Sequence, residues 1–196
     1  MKWYKYDIRN FAEKEFGKWY ALMSKERQRK VDSLKLSDAK KQTVAGEMLV
    51  KTQLAKLLEI SPESINIYTD KNGKPYAENC SFNFSISHSE NIVVCAIDKA
   101  PIGIDIEKIR PINLKVAKRI CNNEELNYLF GHMLTEEDFK ITTNPQILNR
   151  FFEIWTGKEA YGKFIGSGLK NSINIHFNET DFFQISDGYA ISVKTS

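Results

Sequence analysis

The sequence has few cysteines, little net charge and no long apolar run. Its three cysteines are widely spaced and form no C-x-x-C pair, which argues against a disulfide framework and against a zinc cluster. The 28 basic and 25 acidic residues leave a formal net charge of +3, too small by itself to indicate nucleic-acid binding. No signal-peptide pattern follows Met1, and no apolar segment is long enough to cross a bilayer. We therefore expect a cytoplasmic protein that binds neither nucleic acid nor membrane.

The composition that remains is that of a globular protein. The 196 residues are 42% apolar and 27% charged, which is enough for a sizeable core in one domain or two small ones. Along the chain, a helical pattern followed by strand patterns occurs twice. This order predicts the α+β class in two similar halves, residues 1–100 and 101–196.

Four segments of the sequence predict helices. The first begins after Ser24, a typical helix N-cap, and brings Arg27 and Lys30 onto one face three positions apart. That pair either belongs to a solvated helix face or binds an anion. The other three segments cover residues 37–59, 114–130 and 151–166.

Alternating apolar residues predict short strands between these helices. Phe82, Phe84 and Ile86 alternate with polar residues, and apolar segments follow at 92–97 and 102–106. We expect these three segments to form an antiparallel meander, with His88 in the first connection. The remaining predicted strands are residues 1–8, 65–68, 173–177, 182–186 and 189–193, with turn signals at Asn72-Gly73 and Asp187-Gly188.

The stretch PIGIDIEKI places two carboxylates in an otherwise apolar strand. Because side chains alternate along a strand, the isoleucines share one face and Asp105 and Glu107 share the other with Gly103. Two like charges on one pleat repel each other, and burying them unpaired is costly. Either this face is solvated, or the two carboxylates bind a cation.

Two other groups of residues are candidates for chemistry. Glu159 and Lys163 lie four positions apart on a predicted helix, which fits either a surface ion pair or a functional pair. Ser87 and His88 lie at a strand end, where side chains can be presented to a ligand. No second histidine is near them, so the sequence does not support a Ser-His-Asp hydrolase.

Taken together and in order, three segments resemble the 4′-phosphopantetheinyl transferases of the Sfp-like class. They are NFSISHS, PIGIDIEKI and FFEIWTGKEAYGKFIGSGL, which carry the patterns G-x-D-x-E and W-x-x-K-E-A-x-x-K of that family. Gly73-Lys74-Pro75 also looks like a family motif. The resemblance extends from about Ser24 to Gly168 and implies two pseudo-symmetric α+β halves, each with a helix packed on a small antiparallel sheet, in a monomeric enzyme.

The resemblance implies a reaction and the residues that carry it. The 4′-phosphopantetheine group of coenzyme A would be transferred to a serine of an apo acyl or peptidyl carrier protein, with release of adenosine 3′,5′-bisphosphate. Mg²⁺, a hard cation that prefers oxygen ligands, would be bound by Asp105, Glu107 and Glu159. Lys158 and Lys163 would add positive charge at the phosphates. Glu159 or a metal-held water would be the general base.

The nucleotide contacts are implied in the same way. They are Arg27 and Lys30 at the 3′-phosphate, Lys74 and Pro75 near the adenine, Ser87 and His88 at the phosphates, and Thr43 in the coenzyme A site. Gln42 departs from the family pattern, in which an arginine is usual just before the threonine.

Two other functions compete with this interpretation. A metal-dependent nuclease also uses Asp-x-Glu on a strand, but here the E-x-K part of a common nuclease signature does not follow Asp105, and basic residues with interleaved aromatics are not concentrated. A non-catalytic module that binds coenzyme A or a carrier protein would be expected to have lost at least one of the four residues Asp105, Glu107, Glu159 and Lys163. All four are present.

Overall fold

A computed structural model of the chain describes residues 1–70, 73–131, 140–166 and 180–195. The chain divides into two compact units, Met1–Ile102 and Gly103–Thr195. Each unit combines helices with small sheets, which confirms the predicted α+β class. Within the described ranges, no helix is both long enough and apolar enough to span a membrane.

The first unit is built on a three-stranded antiparallel sheet. Its elements are β1 (Lys2–Asp7), α1 (Glu13–Ala21), α2 (Lys25–Ser33), α3 (Ser37–Leu58), β2 (Ile67–Thr69), β3 (Pro75–Ala77), β4 (Asn83–Ser89) and β5 (Ile92–Asp98). The sheet has the strand order β1-β5-β4, and β2 pairs with β3 separately. Helix α3 packs on β5, where Val50 and Leu54 join Phe84, Cys95 and Ile97 in a buried core.

Local signals explain where the helices of this unit begin and end. The Ser24 hydroxyl accepts a hydrogen bond from the Arg27 amide over 3.3 Å, which caps α2 as the sequence predicts. Helix α3 ends at Leu58, because Glu59 takes the left-handed conformation with φ of 56°. Strand β2 begins two residues later than predicted. The turn before β3 contains Gly73 at φ of 87°, and Asn72 lies outside the described residues.

The predicted three-stranded meander is wrong in its third strand. The first two strands do form a hairpin, in which β4 continues through Ser89 and His88 pairs with Val93. The connection is therefore only Glu90 and Asn91. Strand β1 occupies the other edge of β5, in a register that joins Lys2 to Ile97, so the strand that follows Pro101 cannot pair with β5. It enters a sheet of the second unit instead.

The second unit also places a long helix on a three-stranded sheet. Its elements are β6 (Ile102–Lys108), β7 (Ile112–Asn113), α4 (Ala117–Ile120), α5 (Asn123–Phe130), β8 (Ile141–Thr142), α6 (Pro145–Ile165), β9 (Phe182–Ser186) and β10 (Tyr189–Thr195). The strand order is β6-β10-β9, and β7 pairs with β8. Helix α6 packs on β10 and on α5. The two halves thus each carry a helix on a sheet, as expected.

Asparagine caps account for two differences from the sequence prediction. The single helix expected over 114–130 is broken at Asn122, whose side chain accepts from the Glu125 amide while the Glu125 carboxylate accepts from the Asn122 amide. Asn144 caps α6, which therefore begins six residues earlier than predicted. The hairpin at Asp187-Gly188 is confirmed, with φ of 55° and 76°. The predicted strand 173–177 lies outside the described residues.

Candidate functional site

A glycine brings β6 into direct contact with α6. A Cβ atom added to Gly103 would lie 2.0 Å from the carbonyl oxygen of Ala160 and 2.6 Å from the backbone nitrogen of Phe164. Both are backbone atoms of α6, so no larger residue fits without moving the helix. Asp105 and Glu107 lie on the same strand face as Gly103, and this contact sets them beside α6.

The structure places the three carboxylates that the sequence singles out within reach of one another's charge. Burial raises the pKa of Glu159, and the negative charges of Asp105 and Glu107 raise it further, while Lys163 lowers it. Asp105 is only 5% exposed, so its strand face is not solvated there. The Lys163 ammonium donates to Asp105 Oδ1 over 2.7 Å. The pair at positions 159 and 163 therefore faces the carboxylates of β6.

These carboxylates suit a divalent cation by chemistry, although they do not converge tightly. Across residues 1–70, 73–131, 140–166 and 180–195, no group of three or more Asp, Glu, His or Cys side chains is close enough to hold a metal ion. The crowding of negative charge around Glu159 is nevertheless what a hard cation with oxygen ligands relieves. The Lys163 ammonium adds a positive charge beside Asp105.

Lys158 lies apart from this carboxylate group. Its ammonium is 2.8 Å from Glu125 Oε2, and the two side chains are 1% and 0% exposed. Five positions separate Lys158 from Lys163, which is about 140° around a helix at 3.6 residues per turn, so the two lysines point in different directions. Sequence reasoning missed Glu125. The one available signal was its place three residues after Asn122, typical of a capping box.

An apolar recess adjoins Glu107 within the second unit. Phe151 and Trp155 lie in its wall with ring centroids 6.3 Å apart, and Arg110 lies at its edge. Its volume is about 330 Å³. An uncharged chain that ends in an anionic group would match the aromatic wall and the arginine, whereas Glu107 would repel the anion unless a cation lay between them.

The first unit contains a separate recess that collects most of the predicted nucleotide contacts. Helices α2 and α3, the turn before β3 and strand β4 converge on a volume of about 290 Å³. The predicted residues in its wall are Arg27, Lys30, Thr43, Pro75 and His88, and Gln42 lies with them.

Ser87 and Lys74 are not in the wall of this recess. Ser87 is buried, and because side chains alternate along β4 it points away from the exposed His88. The Lys74 ammonium lies 5.9 Å from the centroid of the Tyr76 ring. Burial lowers the pKa of Lys74, and the charge of Asp70 opposes that shift. The residues on either side of Lys74 do line the recess.

The recess concentrates positive charge. Arg27 is 6% exposed, and its Nε atom donates to Glu47 Oε2 over 3.0 Å. Lys30 stands at the rim, where partial loss of water lowers its pKa and the charge of Arg27 lowers it further. Two cations that repel each other at one opening would be stabilised by an anion.

The two polar residues of α3 in the recess already have backbone partners. Gln42 donates from Nε2 to the Glu90 carbonyl over 2.6 Å and so holds the β4–β5 turn. The Thr43 hydroxyl donates to the Ala39 carbonyl over 2.9 Å. Both side chains are uncharged, so the positive potential of the recess comes from Arg27 and Lys30.

Comparison with known proteins accounts for both units. Residues 101–194 match the sequence model of the 4′-phosphopantetheinyl transferase superfamily. Residues 10–100 match the N-terminal model of a 4′-phosphopantetheinyl transferase. The carboxylate group lies in the first of these matches and the basic recess in the second.

Individual relatives support the same assignment. The chain is 37% identical over 153 residues to 4′-phosphopantetheinyl transferase gsp of Aneurinibacillus migulanus, covering 78% of this chain and 60% of that protein. It is 34% identical over 140 residues to psf-1 of Bacillus pumilus, covering 71% and 55%. It is 30% identical over 165 residues to 4′-phosphopantetheinyl transferase Sfp of Bacillus subtilis (strain 168), covering 84% and 69%. The chain thus spans between about half and two thirds of the length of these relatives. It belongs to the 4′-phosphopantetheinyl transferase superfamily.

Proposed function

We propose that this protein transfers the 4′-phosphopantetheine group of coenzyme A to a serine of an apo acyl or peptidyl carrier protein. One observation carries the proposal: Lys163 on α6 is paired with Asp105 on β6, and the charges of Asp105 and Glu107 act on Glu159. These four residues lie within the segment that matches the superfamily. The relatives are named for the same transfer reaction.

The basic recess of the first unit supports the choice of coenzyme A as donor. Coenzyme A carries a 3′-phosphate and a pyrophosphate, and the recess offers Arg27 and Lys30 to such anions. His88 is exposed in the same wall and provides a hydrogen-bond donor. The proposal also keeps Thr43, Lys74, Pro75 and Ser87 as nucleotide contacts.

Asp105, Glu107 and Glu159 would hold Mg²⁺. When bound, the ion would neutralise negative charge that develops on the transferred phosphate. The Lys163 ammonium already contacts the Asp105 carboxylate, and from there it would also contact the phosphate oxygens. Lys158 is assigned a different part, because its ammonium is paired with Glu125 inside the unit and fixes α6 against α5.

The proposed reaction is a single displacement at phosphorus. The carrier serine oxygen forms a bond to the β-phosphorus of coenzyme A, and the bond from that phosphorus to the bridging oxygen breaks. Adenosine 3′,5′-bisphosphate leaves with the bridging oxygen, and the serine proton passes to a base. That base would be Glu159 or a water held by the bound metal.

The proposal extends to the state in which the protein acts. We infer a monomer in the cytoplasm, where coenzyme A and carrier proteins would meet the enzyme. Cys80, Cys95 and Cys121 form no disulfide, which is compatible with a reducing compartment.

Release of adenosine 3′,5′-bisphosphate tests the proposal against the binding-module alternative. The full chain is incubated with coenzyme A, Mg²⁺ and an apo carrier protein, and the nucleotide is quantified by chromatography. We expect release that requires all three and is lost in Glu107→Gln. Binding of coenzyme A without any release would support the non-catalytic module instead.

A further inference from the structure

A buried three-residue charge cluster lies directly behind the basic recess. It consists of Arg27 on α2 and Glu47 and Lys51 on α3, and their side chains are 7%, 2% and 2% exposed. Arg27 lines the recess, whereas Glu47 and Lys51 do not. No nucleotide contact is assigned to Glu47 or Lys51, and the reaction proposed above does not use them.

The contacts within this cluster divide the Glu47 carboxylate between two cations. Its Oε2 atom accepts from Arg27 Nε over 3.0 Å, and its Oε1 atom lies 3.4 Å from Lys51 Nζ. The Lys51 ammonium also donates to the Leu22 carbonyl over 2.7 Å, which fixes it in place. The Glu47 carboxylate therefore fixes the Arg27 side chain through its Nε atom.

The charges of the cluster do not cancel. One carboxylate and two cations sum to +1, and Lys30 at the rim adds a further positive charge. If Lys51 were absent, Glu47 would neutralise Arg27 alone and the back of the recess would be neutral. Because the cluster is out of water, its net charge acts on a nearby anion with little screening.

We propose that Lys51 is a specificity-determining residue, which keeps Arg27 electrostatically available to the 3′-phosphate of coenzyme A by sharing the Glu47 carboxylate. This inference rests on the proposed function. Glu47 is the matching positioning residue, since it fixes the guanidinium of Arg27 at the wall of the recess. Neither side chain touches the ligand in this account.

Two single substitutions have opposite expected effects on ligand preference. Coenzyme A and dephospho-coenzyme A differ only in the 3′-phosphate, so the ratio of their dissociation constants isolates its contribution. Lys51→Met should lower the preference for coenzyme A about tenfold, since one charge near a phosphate is lost in a partly screened environment. Glu47→Gln should raise that preference by a similar factor, because its amide oxygen still accepts from Arg27 without neutralising it.

The measurement is isothermal titration calorimetry of the 196-residue chain with both ligands at one ionic strength. The double variant Glu47→Gln/Lys51→Met restores a net charge of +1 and should return the ratio close to that of the wild type. Val50→Ala, a core truncation on the same helix, is the control for general loss of stability and should leave the ratio unchanged. Circular dichroism establishes that each variant is folded.

The possible results separate the two proposals. If the wild type binds neither ligand, the proposed function is refuted and this inference falls with it. If the wild type binds both ligands equally well, or if it prefers coenzyme A but the folded variants at positions 47 and 51 keep its ratio, only this inference is refuted. Should Lys51→Met fail to fold, Glu47→Gln decides, because a purely structural cluster predicts no gain in preference.

Discussion

Replacing Gly103 with alanine tests how β6 and α6 are held together. The new Cβ would meet the Ala160 carbonyl oxygen at 2.0 Å and the Phe164 nitrogen at 2.6 Å. Overpacking a core costs about 1–3 kcal/mol, and these two backbone atoms cannot rotate away as a side chain would. We therefore expect Gly103→Ala to lower the free energy of unfolding by about 3 kcal/mol, at the upper end of that range. Transfer activity should fall too, because α6 carries Glu159 and Lys163.

Gly17→Ala provides a matched control for the same chemical change. Gly17 lies inside α1, and no atom is within 4 Å of the position its Cβ would take. Alanine is favoured over glycine in a helix by roughly 0.5–1 kcal/mol, so this variant should be stabilised by that amount. Urea unfolding followed by fluorescence measures both variants, and Trp155 on α6 reports the second unit. A free energy for Gly103→Ala within about 0.5 kcal/mol of the wild type would refute the close packing.

Two further predictions concern buried ionisable groups. Burial raises the pKa of Cys95 and of Cys121 to about 12, so both thiols should resist iodoacetamide at pH 8 while Cys80 reacts, as followed by mass spectrometry. Since the unfolded thiols ionise near their ordinary value of 9.0, stability should be retained below that pH and fall between pH 9 and 12; equal labelling of all three cysteines would contradict this account. Removing one partner of the buried Lys158–Glu125 pair, as in Lys158→Met, should cost about 3–5 kcal/mol in urea unfolding. Lys158→Met/Glu125→Gln should recover much of it, because glutamine is uncharged and still accepts from the Asn122 amide. Equal stability of the single and double variants would argue against the pair.

The parts of the fold that depend on neighbouring residues could be predicted from the sequence. Ser24 caps α2, and Asp187-Gly188 forms a hairpin, because a side-chain cap and a tight turn need only a few adjacent positions. The face shared by Gly103, Asp105 and Glu107 follows from strand alternation alone.

Long-range pairing could not be predicted in the same way. The alternating pattern of residues 102–106 could pair with the edge of any sheet. Only the pairing of β1 with β5 shows that the second edge of β5 is already occupied. Likewise, the apolar pattern of residues 114–130 reads as one helix, although the side chain of Asn122 interrupts it by capping the next.

Among the charged residues, too, contacts within one helix could be predicted from the sequence, whereas contacts between helices could not. The motif W-x-x-K-E-A-x-x-K places Glu159 and Lys163 on one helix face, and the structure sets both beside Asp105. The motif alone does not reveal where Lys158 points, because the partner of Lys158, Glu125, lies on another helix 33 positions earlier. The partners of Arg27 are hidden for the same reason, since Glu47 is 20 positions away.

The most direct test of the central claim is the intact mass of an apo carrier protein after incubation with this protein, coenzyme A and Mg²⁺. The account predicts a gain of one phosphopantetheine group, lost when EDTA is added and lost in Glu107→Ala. Glu107→Ala should remain folded, since Glu107 is only half-buried at the edge of its sheet. Several unrelated apo acyl and peptidyl carriers should be tried in parallel. An unchanged mass for every carrier, with a folded wild-type protein, would contradict the claim that this chain is a transferase.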